Sequence, residues 1–242
     1  MRWSRNCSHN QLDTLPPTVS NLQHLNCAIN QIDQLPPLPI IEYLECTSNR
    51  LSSLPLIGST CRNLHCGDNL LTNISWLPDT IERLNISHNL LEQIDRLPIA
   101  LTFFSCVGNR LKSLPLLPTS IKKLLCSFNN LTVLPPLPVA LEFLSCTANT
   151  LTKLPFIPLT LTYLDCRFNS LPYTNLVEYQ SYCRVVKPIH LRKVQRWWRR
   201  TNIKRRVRYK SEINTSIYCK PGIGKGWFKF LKALPDASDK ST

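Results

Sequence analysis

The apolar and polar positions of this chain follow one pattern that returns about every 20 residues. Each unit reads LxxLP and then PLPxxLxxLxCxxN, as residues 131–150 show, and an asparagine closes it. Successive asparagines lie 20 residues apart, except for an interval of 19 between Asn30 and Asn49. An internal repeat of this kind predicts a solenoid in which each unit buries its apolar side against its neighbours.

The apolar spacing inside one unit predicts a short β-strand. Leu144 and Cys146 are two residues apart, which places both on one face of a strand, and Leu141 turns into the same core. The segment Leu134–Pro138 should run extended, because proline has no N–H and disfavours a helical residue before it. Only about 10 residues connect successive strands, which is too few for a crossover that contains a full helix.

This arrangement, LxxLxLxxNxL with cysteine at the third apolar position, resembles the leucine-rich-repeat family over roughly Cys7 to Leu171. The short period and the paired LP dipeptides are similar to the LPX repeats of bacterial effector proteins. Giant viruses of the mimivirus type carry similar versions that contain cysteine. The resemblance implies a repeat solenoid with a curved parallel β-sheet on its concave face and an extended, polyproline-like convex side. The family generally binds proteins on the concave face.

The recurring cysteines and asparagines are interpreted as structural residues. Eight of the 11 cysteines share one inward position, where Ile86 stands in the remaining unit, so the position favours a small apolar filler. A thiol ladder that binds metal is the alternative, but no CxxC or Cys/His spacing supports it, and we expect no metal, cofactor or disulfide. The asparagines should cap strand ends by bonding to the backbone of the neighbouring turn. They are Asn30, Asn49, Asn69, Asn89, Asn109, Asn129, Asn149 and Asn169.

Two outward columns of the predicted strands form the concave face. One column, three residues before the core cysteine position, mixes aromatic and basic side chains, which are enriched at binding surfaces. The alternative is that aromatic residues simply favour exposed strand positions. The candidate binding residues of this column are Tyr43, Arg83, Phe103, Lys123, Phe143 and Tyr163.

The net charge of +14 is concentrated at the C-terminal end of the chain. Residues 1–171 carry 12 Lys/Arg and 11 Asp/Glu, whereas residues 172–242 carry 17 and 4. We therefore place the solenoid at residues 1–171, with a degenerate N-terminal unit, and a basic helical extension after it. Residues 172–186 should form a capping helix with Thr174 as its N-cap, and residues 211–242 a partly disordered tail.

Residues 187–210 should form a basic helix that contains tryptophan. Val194-Gln195, Arg199 and Lys204 fit the spacing of a calmodulin-binding IQ motif, although Arg200 replaces its usual glycine. Nucleic-acid binding, a nuclear address or attraction to an anionic membrane could use the same charges, and the helix could also only pack on the solenoid. The candidate residues are Arg192, Lys193, Arg196, Trp197, Trp198, Arg199, Arg200, Lys204, Arg205 and Arg206.

The residues indicate no catalytic constellation. Some of the resembling effectors carry a cysteine-dependent ubiquitin-ligase domain, but that domain is longer than residues 172–242, and Cys183 and Cys219 lack a Cys-x-Asp context.

The N-terminus has no apolar run typical of a signal peptide, and no stretch predicts a membrane span. Abundant free cysteine favours an intracellular, cytoplasmic or nuclear location. We expect a non-enzymatic scaffold that binds a protein on its concave face, with nucleic-acid association through the basic helix as the alternative. The residues specify no oligomeric state.

Overall fold

Nine strands of three residues each form one parallel sheet in this protein, whose computed structural model describes residues 4–74 and 76–184. The strands pair in sequence order from β1 to β9, so each coil of the chain lies directly on the preceding one. The predicted solenoid and its parallel sheet are confirmed. The strands are β1 Ser4–Asn6, β2 His24–Asn26, β3 Tyr43–Glu45, β4 Asn63–His65, β5 Arg83–Asn85, β6 Phe103–Ser105, β7 Lys123–Leu125, β8 Phe143–Ser145 and β9 Tyr163–Asp165.

The middle residue of each strand from β2 to β9 points into the core, and the residues on either side of it point outward. Leu84 and Phe104 are register partners at this middle position, and both are fully buried. The cysteine position follows directly after each strand, where Cys46 and Cys126 are fully buried, and Ile86 is equally buried. The core is therefore a stack of repeated apolar layers, as the spacing of leucine and cysteine predicts.

Among the described residues of the convex segments, the first segment alone contains a helix, a 3₁₀ helix at Pro17–Asn21. This short helix departs from the extended course predicted for the convex side. It begins after Pro16, which is extended, and Pro17 presets the helical φ at the first position. Val19 is almost completely buried, so the helical turn carries an apolar side chain into the core.

The 19-residue interval produces one shortened coil, which comes close to the next coil on the convex side. A short parallel bridge pairs Leu38 with Ile57 there. A Cβ atom at Gly58 would lie 1.7 Å from the carbonyl oxygen of Pro39, so only glycine fits at this position.

A helix at residues 176–184, α1, follows the last coil. Its N-cap is Asn175 and not Thr174, because Asn175 Oδ1 accepts a hydrogen bond from the Glu178 N–H at 3.0 Å. The N–H and hydroxyl of Thr174 instead donate to the Glu178 carboxylate at 2.7 and 2.8 Å. The side chains of Leu176 and Tyr179 pack against the solenoid core.

The same segment protects the open edge of β9. The Cys166 N–H donates to the Thr174 carbonyl at 2.9 Å, and Asp165 forms an antiparallel bridge with Asn175. This backbone pairing occupies part of the last strand's free edge. The end of the expected capping segment (185–186), the basic helix at 187–210 and the tail at 211–242 lie outside the described residues. No helix within residues 4–74 and 76–184 has the length and apolar character needed to cross a membrane.

Candidate binding face

The asparagine that ends each unit ties two coils together and so fixes the spacing of the sheet. Asn89 Nδ2 donates to the carbonyl of Ile86 in its own coil at 3.1 Å and to that of Cys66 in the preceding coil at 3.0 Å. Its Oδ1 accepts from the N–H of Leu71, also in the preceding coil, at 2.9 Å. Equivalent bonds join coils at every asparagine from Asn30 to Asn169. The predicted strand caps thus act between coils.

The residue before each asparagine adopts a left-handed backbone conformation, which the sequence analysis missed. Its φ angle lies between 52° and 66° at all nine positions. L-residues other than glycine adopt this region at some cost, so side-chain type alone rarely marks it. Gly108 is the strongest signal in the sequence, because glycine adopts positive φ at no steric cost. The nine residues are His9, Ile29, Ser48, Asp68, His88, Gly108, Phe128, Ala148 and Phe168.

Several buried thiols hydrogen-bond to the coil that follows. Cys46 Sγ donates to the His65 carbonyl at 3.4 Å, and Cys126 Sγ donates to the Ser145 carbonyl at 3.5 Å. Burial, with smaller contributions from Cys7 and Glu45, raises the pKa of the Cys27 thiol to about 12. Cysteine is thus an apolar filler that also offers a weak donor, which an aliphatic side chain lacks.

Five of the six predicted concave residues form a continuous row, which we call the concave ladder: Arg83, Phe103, Lys123, Phe143 and Tyr163. The guanidinium carbon of Arg83 lies 4.9 Å from the centre of the Phe103 ring. Lys123 Nζ lies 5.8 Å from the Phe103 ring centre and 4.4 Å from that of Phe143. The rings of Phe143 and Tyr163 are stacked, with centres 4.1 Å apart and planes inclined by 6°. Cations and aromatic rings therefore alternate across four strands before the row ends in a ring pair.

Tyr43, the sixth predicted residue, lies apart from the ladder because Asn63 occupies the position between them. Its ring is near His65, with centres 5.7 Å apart, and its hydroxyl donates to Glu45 Oε2 at 3.4 Å. Burial and the Glu45 carboxylate raise the pKa of Tyr43, whereas burial and Arg83 lower the pKa of His65. The N-terminal part of the face is thus a polar cluster of Tyr43, Glu45 and His65.

Most charged side chains next to the ladder have a partner of opposite charge. Arg62 pairs with Glu82 at 2.6 Å, Lys122 with Glu142 at 3.8 Å and Arg167 with Asp165 at 2.7 Å. The Arg167 guanidinium holds the pKa of the Asp165 carboxyl below its ordinary value. Among the described residues, neither Arg83 nor Lys123 pairs with a carboxylate.

Small hydroxyl side chains line the face beside the ladder. The hydroxyls of Ser87 and Ser105 are 2.7 Å apart, and those of Ser127 and Ser145 are 2.9 Å apart. The two hydroxyls of each pair satisfy each other's hydrogen-bonding capacity. The surface beside the ladder is therefore formed by short, fixed side chains, and the longer ladder side chains project beyond it.

The described part of the chain contains no group of three His, Cys, Asp or Glu side chains placed to hold a metal ion. The cysteine column is buried apart from the half-buried Cys7, and several of its thiols, such as those of Cys66 and Cys126, donate to backbone carbonyls. The basic residues predicted as a second contact, from Arg192 to Arg206, lie outside the described residues, so that hypothesis stays a prediction.

Comparison with known proteins gives structural neighbours. No protein-family model and no curated protein matches the chain. YopM from Yersinia enterocolitica is 30% identical with a TM-score of 0.62, over 70% of this chain and 43% of that one. The functional domain of InlJ from Listeria monocytogenes, described as including a cysteine ladder, is 29% identical with a TM-score of 0.60, over 72% and 41%. A Shigella effector leucine-rich-repeat domain is 25% identical with a TM-score of 0.53, over 69% and 70%.

The chain therefore spans less than half of the YopM and InlJ structures that it matches. The stacked parallel strands, the asparagines that join the coils and these three neighbours agree on one architecture. The stacked coils that carry β1 to β9 form a leucine-rich-repeat solenoid.

Proposed function

We propose that this protein is a non-enzymatic scaffold that binds a partner protein on the concave face of its solenoid. The observation that carries the proposal is the concave ladder, a row of aromatic and basic side chains on consecutive strands. Phe, Tyr and Arg are enriched in the centres of protein interfaces, where they supply much of the binding energy. Solenoids of stacked repeats commonly use their extended concave surfaces for binding.

The rigidity of the face also supports this function. Each ladder residue sits at the first position of a strand whose centre is buried and whose end is tied to a neighbouring coil by an asparagine. A partner therefore meets side chains that are already placed, so less conformational entropy is lost on binding. The preference of aromatic residues for strands explains their presence, but it does not explain why Lys123 lies between two of their rings.

The test is a pull-down from cell lysate with the full chain and two matched triple variants. The concave variant carries Phe103→Ser, Phe143→Ser and Tyr163→Ser. The convex variant carries Leu56→Ser, Leu116→Ser and Leu159→Ser, which removes apolar side chains that are at least 72% exposed. We expect the concave variant to lose protein partners that the wild type retains at about 0.5 M salt, where exposed charge contacts are screened. The convex variant should retain them.

A third variant separates the face from the basic C-terminal segment. It carries Arg196→Gln, Arg199→Gln, Arg200→Gln, Arg205→Gln and Arg206→Gln. Partner proteins that still bind this variant but no longer bind the concave variant support the proposal. If every partner depends on the five arginines and none on the ladder, the concave proposal is wrong, and salt-sensitive capture of nucleic acid would favour the alternative.

A further inference from the structure

The two cations of the concave ladder carry charge that no described carboxylate neutralises. Arg83 in β5 and Lys123 in β7 contact aromatic rings, and a ring offers a cation attraction but no neutralising charge. The basic side chains beside them, Arg62 and Lys122, are both paired with glutamates. The positive potential at the centre of the face therefore comes mainly from Arg83 and Lys123.

Their spacing is set by the sheet. Arg83 and Lys123 occupy equivalent register positions two strands apart, with Phe103 on the strand between them. Neighbouring strands are about 4.8 Å apart, so the two cations stand roughly 10 Å apart along the axis of the solenoid. An apolar ring thus separates two positive charges at a fixed distance.

We propose that the concave ladder binds an acidic, extended protein segment whose carboxylates stand about 10 Å apart. In a polyproline-type strand, residues three apart lie on the same side and about 9 Å apart, so an acid-x-x-acid sequence matches the two cations. One carboxylate pairs with Arg83 and the other with Lys123, on either side of the Phe103 ring. This inference rests on the proposed function, because it names the chemistry of the partner for the same face.

The ladder fits a protein segment better than single-stranded nucleic acid. Nucleic-acid grooves combine a run of cations along the backbone with open aromatic faces on which bases stack. The concave ladder, by contrast, contains two cations, Arg83 and Lys123, and Glu82 and Glu142 lie close by. The rings of Phe143 and Tyr163 stack on each other at 4.1 Å, which leaves no gap for a base between them.

The test is a selection from a displayed library of random peptides of about 12 residues on the full chain at low salt. Binders are removed beforehand on the variant Arg83→Gln/Phe103→Ser/Lys123→Gln/Phe143→Ser, which lacks four ladder side chains but keeps the basic C-terminal segment, and so absorbs peptides that bind there. The recovered peptides are then labelled, and their dissociation constants are measured by fluorescence polarisation. Arg62→Gln is the matched control, because Arg62 lies beside the ladder but is already paired with Glu82.

We expect recovered peptides rich in Asp and Glu, with pairs three residues apart. Each single substitution, Arg83→Gln or Lys123→Gln, should weaken their binding roughly three- to fivefold, as expected for partly exposed charge pairs. Arg62→Gln should leave it unchanged. Binding should also weaken as salt increases.

Three other results would overturn the inference, and they lead to different conclusions about the concave face. If recovered peptides lack an acidic excess and depend on Phe103 and Phe143 but not on the two cations, the face binds protein and the acidic inference is wrong. If no peptide depends on any ladder residue, both the inference and the proposed function fail. If a labelled oligonucleotide of about 20 deoxythymidines binds and its binding depends on Arg83 and Lys123, the ligand of the ladder is nucleic acid and not an acidic protein segment.

Discussion

The backbone N–H of Leu111 donates to the side-chain oxygen of Asn129 at 3.0 Å, across 18 residues of the chain. The same side chain donates from Nδ2 to the Cys106 carbonyl at 2.9 Å. Both partners belong to the preceding coil and are fully buried. A single amide therefore satisfies one buried donor and one buried acceptor that no water can reach.

Asn129→Ala should destabilise the protein by about 1–3 kcal/mol, because it leaves the Leu111 N–H without a partner and removes one of the two donors to the Cys106 carbonyl. The next residue offers a matched control, since Asn130 is exposed. Asn130→Ala should change stability by less than about 0.5 kcal/mol. Urea unfolding followed by far-UV circular dichroism measures both. Equal effects of the two substitutions would contradict the role assigned to Asn129.

Gly108 and Ala148 should respond in opposite ways to exchange, because both have positive φ in equivalent positions. Gly108→Ala should cost about 1–2 kcal/mol or more, since alanine is strained there and its Cβ would lie 2.5 Å from His88 Nδ1. Ala148→Gly should stabilise the protein by up to about 1 kcal/mol, because it relieves the same backbone strain.

Thermal unfolding of both variants checks this prediction. His88→Ala added to Gly108→Ala removes the steric clash but not the backbone strain, so it should recover only part of the loss. Full recovery would mean that the backbone at residue 108 contributes nothing.

The buried thiols predict a loss of stability at alkaline pH. Burial raises the pKa of Cys27 from 9.0 to about 12, so in this window the folded protein holds a proton that the unfolded chain has released. Stability is therefore fully present below pH 9 and falls as the pH rises toward 12, by up to about 1.4 kcal/mol per pH unit for each such thiol.

The measurement is the urea midpoint at several pH values between 7 and 11, in the presence of reductant. Cys27→Val should reduce the slope of stability against pH. Ile86→Val is the control, because it lies in the same buried column without a titrating group: it should lower stability by about 0.5–1.5 kcal/mol and leave the slope unchanged. A slope that Cys27→Val does not alter would rule out this thiol as a source.

The start of α1 depends on Asn175. Asn175→Ala should destabilise the first turn by about 1 kcal/mol, because the Glu178 N–H loses its acceptor. Val177→Ala, in the same turn at a side chain 72% exposed, should have little effect. Hydrogen exchange of the amides of residues 178 and 179 reports this turn directly. Unchanged exchange in Asn175→Ala would show that Thr174 and Glu178 suffice as a cap.

Much of this fold follows from spacing alone, because Leu and Cys at period 2 and an asparagine at a fixed distance leave few arrangements that bury every apolar side chain. The strand column from Arg83 to Tyr163 was predicted for the same reason. The contacts between the side chains of this column could not be predicted, because the contact of Lys123 Nζ with the Phe143 ring depends on side-chain torsions.

Other features of the structure could not be predicted from the sequence, and each has a physical reason. The left-handed position holds residues as different as Ile29 and Asp68, since the hydrogen bonds of the following asparagine compensate its strain. The 3₁₀ helix at Pro17–Asn21 arises because Val19 reaches the core, which local proline preference does not show. The N-cap was displaced by one residue, since Thr174 and Asn175 are both good cap residues and only the position of Glu178 decides between them.

The hydrogen bonds made by each asparagine determine how the solenoid can be lengthened. Every coil leaves one N–H for the asparagine of the following coil, as Leu131 does for Asn149 and Leu151 does for Asn169. A duplicated segment of 20 residues, such as 110–129, would supply both a new donor and a new acceptor at the correct distance. Duplication of a whole coil can therefore lengthen such a protein in evolution without any new kind of interface. An insertion of half a coil would instead leave buried backbone N–H and carbonyl groups unpaired on both sides of the insertion.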